Sequence, residues 1–254
     1  IIVLDDASSD TQSSIENNKI NTLEHCTYIE SEKNLGRTAT RNILAHKAKF
    51  NWLLFLDADV IPLNHDYIET YVKELNNKYD VISGGIVYET QRPTQNQLLR
   101  WVYGKTRESK SAKARNKKPY NIISANLLIT KEVFLKANNF ETNHYGLDIY
   151  FSYKIRELKA KVQHIENPTI HLGLESTAIF LEKSLGAIQT TYTLEKDNKI
   201  DLSSRALQIK YKQLKTMGAT TLFMFICRGF EKTFIKNLKS KNPSLFFFDL
   251  YKLC

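Results

Sequence analysis

Short apolar runs alternate with amphipathic segments through the first 173 residues, and this alternation constrains the fold more than any other feature. Segments such as "RTATRNILAHKAK", "NHDYIETYVKELNN" and "LDIYFSYKIRELKA" have helical spacing. Strands that alternate with helices predict an α/β sheet covered by helices. The runs that predict strands are "IIVLDD", "CTYIES", "NWLLFLD", "YDVISGGIVYE", "YNIISANLLIT" and "KVQHIEN".

Two segments depart from this alternation. Residues 90–120 are polar and basic, which predicts a long loop or a mobile helix that contributes to specificity. After Leu174 the sequence becomes helical and basic, without a strand pattern. We therefore expect an α/β domain over residues 1–175 and a helical, basic extension over residues 176–254.

The positive charge is concentrated in the extension. The net charge is +9, and residues 203–254 carry +8 of it, with ten Lys or Arg against Glu231 and Asp249. Such a patch attracts nucleic acid, an anionic membrane surface or phosphorylated ligands, and it can also be a solvated face. No nucleic-acid recognition motif accompanies it, so we expect no nucleic-acid partner. No apolar run reaches the roughly 18 residues that a membrane-spanning helix needs.

Three cysteines, Cys26, Cys227 and Cys254, show no paired spacing. Their odd number predicts no disulfide framework and favours a reducing compartment.

Two carboxylates follow the run Trp52–Leu56 where the predicted strand ends. Asp57 and Asp59 are two residues apart, so their side chains point the same way, at the sheet edge where α/β proteins bind ligands. They repel each other unless a cation compensates them, and Mg²⁺ or Mn²⁺ held with substrate phosphates fits that need. The alternative is a turn or a helix N-cap.

A second acidic pair and two arginines belong to the same pattern. Asp5 and Asp6 follow "IIVL", and two strands of one sheet that end in acids predict a shared cleft. Between the two acidic pairs, the segment "NLGRTATRN" places Arg37 and Arg41 four residues apart on one helix face. The two guanidinium groups are suited to binding phosphate, and the alternative is that they lie on a solvated face.

Five segments in this order resemble glycosyltransferase family 2: "IIVLDDASSD", "NLGRTATRN", "WLLFLDADVIP", "SGGIVY" and "SANLLITKEVFLKANNFETNHYGLDIYFSYKI". The resemblance covers roughly residues 1–173. It implies a GT-A fold and an inverting transfer of a sugar from a nucleotide donor, commonly a UDP-sugar, with Mn²⁺ or Mg²⁺. By the resemblance, Asp5 or Asp6 contacts the base, Asp57 faces the ribose or sugar, and Asp59 carries the metal.

The resemblance also indicates a general base. Family members carry an acidic pair at the start of a helix after a Gly-Phe-Asp-like segment, and Asp148 matches the second acid of that pair. Leu147 replaces the first acid and Asn139 stands where glycine is usual. The alternative for Asp148 is a carboxylate at the positive end of a helix, and Glu141 is the next candidate base.

Two histidines and the start of the chain complete the comparison with the family. His171, after the last predicted strand, matches a histidine that helps hold metal or diphosphate in some GT-A enzymes, although a lone histidine is more often structural. His144 lies near Asp148 and could meet the acceptor. Family members place a strand and a helix about thirty residues before the segment "VLDD", so we expect this sequence to lack them.

Other functions remain open from the sequence. A phosphatase of the haloacid dehalogenase type also places Asp-x-Asp after a strand, but it would want Thr or Gly where Val60 and Ile61 stand. A degenerate, non-catalytic sugar-nucleotide binder fits the departure at Leu147.

For the extension, mixed Lys and aromatic residues favour an anionic membrane surface, which agrees with a cytoplasmic, peripheral enzyme acting on a glycan or lipid-linked acceptor of the cell envelope. The alternative packs Phe223, Phe225 and Phe230 onto the α/β domain or onto a twin subunit in a homodimer.

Overall fold

The apolar runs form strands that pair into three sheets. The computed structural model describes residues 1–75, 78–140, 144–201 and 206–254. Within these ranges the strands are β1 (Ile2–Asp5), β2 (Thr27–Glu30), β3 (Trp52–Leu56), β4 (Val60–Pro62), β5 (Val81–Ser83), β6 (Ile86–Tyr88), β7 (Asn126–Thr130), β8 (Val162–His164) and β9 (Thr169–His171).

Helices cover both faces of the central sheet and make up the C-terminal part of the chain. The described helices are α1 (Thr11–Asn18), α2 (Arg37–Lys47), α3 (Tyr67–Lys73), α4 (Leu98–Tyr103), α5 (Ala112–Arg115), α6 (Lys131–Ala137), α7 (Asp148–Glu157), α8 (Thr177–Lys196), α9 (Ala206–Thr216), α10 (Thr220–Leu238) and α11 (Leu245–Leu253). Short 3-10 turns at Lys19–Thr22 and Gln95–Gln97 and a π-helix at Gly104–Glu108 complete the elements.

The central sheet has the order β3-β7-β5-β8 and is buried on both faces. β7 runs antiparallel to β3 and β5, and β8 runs parallel to β5. One face packs against α2, α6 and α7, and the other against α3, so neighbours such as Val81 and Ile82 are both fully buried. Burial on two faces explains why these strands read as continuous apolar runs. The predicted α/β fold is confirmed.

A second sheet, β4-β9-β6, stands beside the first and was only partly predicted. β9 runs antiparallel to β4 and parallel to β6. The segment "YDVISGGIVYE" was predicted to be one strand, but it divides into β5 and β6 at Gly84 and Gly85. A side chain at Gly84 would lie 2.2 Å from the Asn167 carbonyl oxygen, and Gly85 has φ +87°. Only glycine lets the chain cross between the two sheets here.

β1 and β2 form a separate parallel pair. The expectation that β1 and β3 share one sheet is wrong for the described strands, because the ladder of β1 is made with β2. The link to the rest of the fold runs instead through α2, whose first turn is held by Asp6. Both amide N–H groups of Leu35 and Gly36 donate to the Asp6 carboxylate, each at 2.7 Å.

Residues 90–120 do not form one long loop, because short helical elements occupy residues 95–108 and 112–115. Arg115 donates hydrogen bonds to the carbonyl oxygens of Ser83, Gly84 and Ile165. A basic cluster can be a patch that attracts ligands or a solvated face, but here backbone carbonyls at the crossing between the sheets accept the donors of Arg115. The segment therefore belongs to the frame of the cleft.

The C-terminal helices share a core with α4. Leu99 packs there with Phe180, Leu181, Leu238 and Phe248, all of which are buried. None of the described helices combines the length and the apolar character that a bilayer crossing requires. The division of the chain at residue 175 stays a prediction.

The expectation of no disulfide is also wrong. Cys227 in α10 is bonded to Cys254 after α11, and their Cα atoms are 5.8 Å apart. Their separation of 27 residues gave no signal, because only the antiparallel packing of α10 and α11 brings the two sulfurs together. The remaining cysteine, Cys26, is a free thiol. Cysteine usage therefore no longer argues for a reducing compartment.

Candidate active site

Asp57 ends β3 between two arginines of α2. Its Oδ2 lies 2.7 Å from Nη2 of Arg37, and its Oδ1 lies 2.5 Å from Nη2 of Arg41. Arg41 also donates to the Ser124 carbonyl oxygen and lies over the Phe55 ring, so it is almost fully buried. Burial, together with the neighbouring Arg37, lowers the pKa of Arg41 to about 10. Asp57 thus anchors a buried cation and leaves Arg37 at the mouth of the cleft.

Arg37 joins Asp57 to the predicted general base. Its Nη1 lies 3.0 Å from Oδ1 of Asp148, the first residue of α7, although 111 residues separate the two in sequence. The Ser124 hydroxyl donates to the same oxygen at 3.3 Å. Burial alone would lower the pKa of Arg37, but Asp148 and Asp57 outweigh it and the pKa is raised. Arg37 therefore stays charged and fixes the Asp148 carboxylate beside the cleft.

Asp59, which directly precedes β4, lies beside His171, the last residue of β9. Nε2 of His171 is 3.3 Å from Oδ2 of Asp59, and the backbone N–H of Leu172 donates to the Asp59 carbonyl oxygen. The hydrogen bond from His171 lowers the pKa of Asp59. Gly173 faces the same carboxylate, since a Cβ there would lie 2.1 Å from Asp59 Oδ2. Asp59 is thus ionised at neutral pH and held beside an imidazole.

These two side chains fit a divalent ion only in part. Two ligands at about 2.1 Å that meet at a right angle around Mg²⁺ lie about 3 Å apart, close to the observed 3.3 Å. No group of three His, Cys, Asp or Glu side chains that could hold a metal occurs in the described ranges. Mg²⁺ and similar ions are usually held by one or two protein ligands together with substrate phosphates. Asp59 and His171 can therefore hold a metal jointly with a bound diphosphate.

The N-terminal acids are engaged by protein groups. Asp5 accepts hydrogen bonds from the Ser8 backbone N–H at 2.7 Å and from the Tyr28 hydroxyl at 3.0 Å. The bond from Ser8 is the main cause of the lowered pKa of Asp5. Both oxygens of Asp6 hold the turn before Arg37. The sequence did not indicate this positioning role, and contact of either acid with a base stays a prediction.

The sequence also missed a buried amide beneath the cleft. Asn126, which faces Leu56 at the end of β3, accepts hydrogen bonds from the hydroxyls of Tyr67 and Tyr71 at 2.6 Å. Its Nδ2 donates to the carbonyl oxygens of Gly85 and Asn167. The polar "SAN" before an apolar strand was the available signal. Asn126 ties the two sheets together below the acids.

The departures around Asp148 have packing explanations. Leu147 is buried against Ile149, Leu194 and Ile200, so an apolar residue at this position docks the start of α7 on α8. The Asn139 side chain accepts a hydrogen bond from the Tyr150 hydroxyl. His144 packs beside Phe140, and its contact with an acceptor stays a prediction.

Of the predicted residues, Glu141 lies outside the described residues, and Arg37, Asp57 and Asp59 line one open cleft together with Ala58. Asp148, Arg41 and His171 border this cleft through the contacts above. Fold and cleft together define a GT-A protein, with acids and arginines gathered at the ends of strands. The chain belongs to glycosyl transferase family 2, whose family model matches residues 1–136. It is therefore a glycosyltransferase.

The chain is similar to several solved structures, to differing degrees. The mannosyltransferase PcManGT from Pyrobaculum calidifontis, solved with GDP-Man and Mn²⁺, has a TM-score of 0.59 at 15% identity over 99% of this chain and 74% of that one. GalNAc-T7 with UDP, GalNAc and Mn²⁺ has 0.46 at 17% identity, covering 67% of this chain and 37% of that one. S. aureus TarS 1–349 with UDP-GlcNAc has 0.44 at 17% identity, covering 91% and 63%. Of these three structures, only PcManGT is similar enough to support a conclusion, and that conclusion concerns the fold alone. No curated protein sequence matches the chain.

Proposed function

We propose that this protein transfers a sugar from a nucleotide-diphosphate donor, a UDP-sugar in our reading, to an acceptor hydroxyl with inversion at the anomeric carbon. The single observation that carries the proposal is the pair of ion pairs made by Arg37. They link Asp57, the first acid of the Asp-Ala-Asp segment, to Asp148 across one cleft. Asp148 and the Asp57-Ala58-Asp59 segment thereby face the same space, as an in-line displacement requires.

In this proposal Asp148 is the general base. Its carboxylate accepts the proton of the acceptor hydroxyl as the acceptor oxygen bonds to the anomeric carbon, and the bond from that carbon to the diphosphate oxygen breaks on the opposite side. Attack from the opposite side inverts the anomeric centre. Ser124 and Arg37 keep the carboxylate oriented before the acceptor arrives.

The donor is held at the other end of the cleft. Asp59 and His171 would hold Mn²⁺ or Mg²⁺, and the metal would supply a Lewis acid that offsets negative charge on the diphosphate. Arg37, whose side chain is 45% exposed, offers its planar donors to a phosphate oxygen. Asp5 or Asp6 meets the base, and Asp57 faces the ribose or sugar while it anchors Arg41.

The test uses the full chain with a panel of UDP- and GDP-sugars, with Mn²⁺, Mg²⁺ or EDTA. We expect thermal stabilisation by a UDP-sugar that needs the metal, and slow hydrolysis of that donor. We expect Asp59→Ala to abolish the metal-dependent part of donor binding in calorimetry while the melting temperature changes little. Unchanged donor affinity and metal dependence in this variant would contradict the site. Binding without any turnover would favour the non-catalytic alternative.

The proposed acceptor is a glycan or lipid-linked precursor of the cell envelope, met at the inner face of the membrane by a peripheral, cytoplasmic enzyme. The supporting observation is an exposed apolar face on α10. Leu222, Phe225, Ile226 and Phe230 fall on one side of this helix, and 47% to 77% of each residue is exposed. Exposed Arg and Lys residues flank this face at positions 228, 232 and 236.

A further inference from the structure

Three side chains near His171 form a buried polar cluster that the proposed chemistry does not use. The Tyr88 hydroxyl donates to the Glu108 carboxylate, and Nη1 of Arg100 lies 3.0 Å from the same oxygen. Arg100 is 8% exposed and its guanidinium lies 5.3 Å from the centre of the Tyr88 ring. Burial alone would lower the pKa of Arg100, but Glu108 outweighs it and raises the pKa. The cluster is thus a stable ion pair around a tyrosine.

The backbone around Glu108 is unusual. Gly104–Glu108 is a π-helix, and the Ser109 N–H donates to the Gly104 carbonyl oxygen at 2.9 Å. A side chain at Gly104 would lie 2.2 Å from the Tyr88 ring, so only glycine lets this turn rest on the ring. Such π-turns are rare and are often found at functional sites. Gly104 and Glu108 therefore fix Tyr88 from the ring face and from the hydroxyl.

Tyr88 in turn packs on His171. The two residues face each other in the β6–β9 ladder, and their ring centres are 5.3 Å apart. Histidines that bind metals usually donate from their second ring nitrogen to an oxygen, which sets the ring orientation. Nδ1 of His171 is buried and has no hydrogen-bond partner among the described residues. Packing, and not a hydrogen bond from Nδ1, therefore orients this imidazole.

We propose that Tyr88 is a positioning residue that holds the His171 imidazole beside Asp59, and that Arg100, Gly104 and Glu108 hold Tyr88 in place. This inference rests on the proposed metal role of His171. It assigns a function to the segment 100–108, which supports His171 through Tyr88.

The experiment is a double-mutant cycle on Mn²⁺ binding. Mn²⁺ is titrated by calorimetry into the full chain with saturating UDP, and in parallel with GDP. Loss of an outer support of a metal ligand costs about tenfold or more in metal affinity, so we expect that loss in Tyr88→Leu. Tyr88→Phe keeps the ring on His171 and should recover most of the affinity. In a His171→Ala background, Tyr88→Leu should have no further effect, because its action passes through the imidazole.

Phe234→Leu is the matched control, since Phe234 is 7% exposed and Tyr88 is 6% exposed. It should lower the melting temperature without changing Mn²⁺ affinity. If Tyr88→Leu behaves like this control while Asp59→Ala and His171→Ala both lose Mn²⁺ binding, the positioning role of Tyr88 is overturned and the metal role of His171 stands. If His171→Ala keeps wild-type Mn²⁺ affinity, the metal role of His171 fails with it. Should Tyr88→Leu not fold, Tyr88→Met takes its place in the same cycle.

Discussion

At the residue scale, the absence of a side chain at Gly173 leaves room for the Asp59 carboxylate. We expect Gly173→Ala to displace that carboxylate, because the new Cβ would lie 2.1 Å from Oδ2 and 2.8 Å from Cγ. Metal-dependent donor affinity should fall about tenfold or more, since metal ligands tolerate little displacement. Calorimetry with UDP and Mn²⁺ measures the effect.

Gly186→Ala is the control for this change. Gly186 lies in α8, and a Cβ there would meet nothing within 4 Å. Alanine in a helix is slightly more stable than glycine, so this variant should keep donor affinity and gain a few tenths to about 1 kcal/mol of stability. Equal donor affinity in both variants would show that Asp59 does not hold the donor.

The second residue-scale prediction concerns Asp148. Asp148→Asn keeps the size of the side chain and removes the basic oxygen, so turnover should fall by about 10²-fold or more. Donor affinity should change little, because the proposed base acts on the acceptor hydroxyl. Single-turnover transfer and donor calorimetry on the same preparation separate the two effects. Turnover near that of the wild type would transfer the role to another group, Glu141 first.

Sequence reasoning at this scale found positions but not contacts. Asp57 and Asp59 were predicted from the end of a strand, which is a local pattern, and Asp148 from the resemblance to glycosyltransferase family 2. The bond between Arg37 and Asp148 spans 111 residues, and no local pattern contains it. The same limit hid Ser124 and Gly173, whose importance lies in what they touch.

At the element scale, prediction succeeded where burial imposed a continuous pattern. β3 and β7 are five residues long, with at least three consecutive apolar residues in each, and both were predicted. β4 and β9 have three residues each, next to the Asp57–Asp59 turn and to Pro168, and neither lay in a segment predicted as a strand. Residues 90–120 were predicted to be a loop or a mobile helix because their composition is polar and basic, and composition does not reveal that Arg115 donates to backbone carbonyls inside the fold.

The disulfide gives an element-scale prediction. The bond from Cys227 to Cys254 closes a loop across α10 and α11, which restricts the unfolded chain. For a loop of this length the chain-entropy model gives about 3 to 4 kcal/mol of stabilisation. Cys254→Ser should therefore lower the unfolding midpoint in denaturant, and reduction of the wild type should have the same effect. Cys26→Ser, at a free thiol, is the control and should keep both the midpoint and its sensitivity to reduction. Equal midpoints for oxidised and reduced protein would contradict the prediction.

At the scale of the whole molecule, α10 has two faces with different roles. Phe234 and Leu238 are buried, and Leu238 joins the core with α4 and α8. Phe225 and Phe230 are exposed by 77% and 54% on another side of the helix. Removal of residues 203–254 would therefore also expose the apolar surface of α4 and α8 that Leu238 covers, and loss of stability would mask any loss of membrane binding. Point substitutions on the exposed face avoid this problem.

The last prediction is that this exposed face binds anionic membranes. The double variant Phe225→Ser with Phe230→Ser should reduce co-sedimentation with phosphatidylserine vesicles by about tenfold or more, since burying each phenyl group contributes roughly 1.5 to 3 kcal/mol. The wild type should bind anionic vesicles more strongly than neutral vesicles, because each interfacial Lys or Arg contributes about 1 kcal/mol. Its binding to anionic vesicles should weaken with added salt, because charges are screened within about 10 Å at about 0.1 M salt. Phe50→Ser, at a phenylalanine that is 79% exposed elsewhere, is the matched control and should pellet like the wild type. Sedimentation velocity without lipid distinguishes the twin-subunit alternative. A wild-type dimer that the double variant converts to a monomer, with equal pelleting of both on anionic vesicles, would assign this face to a second copy of the chain.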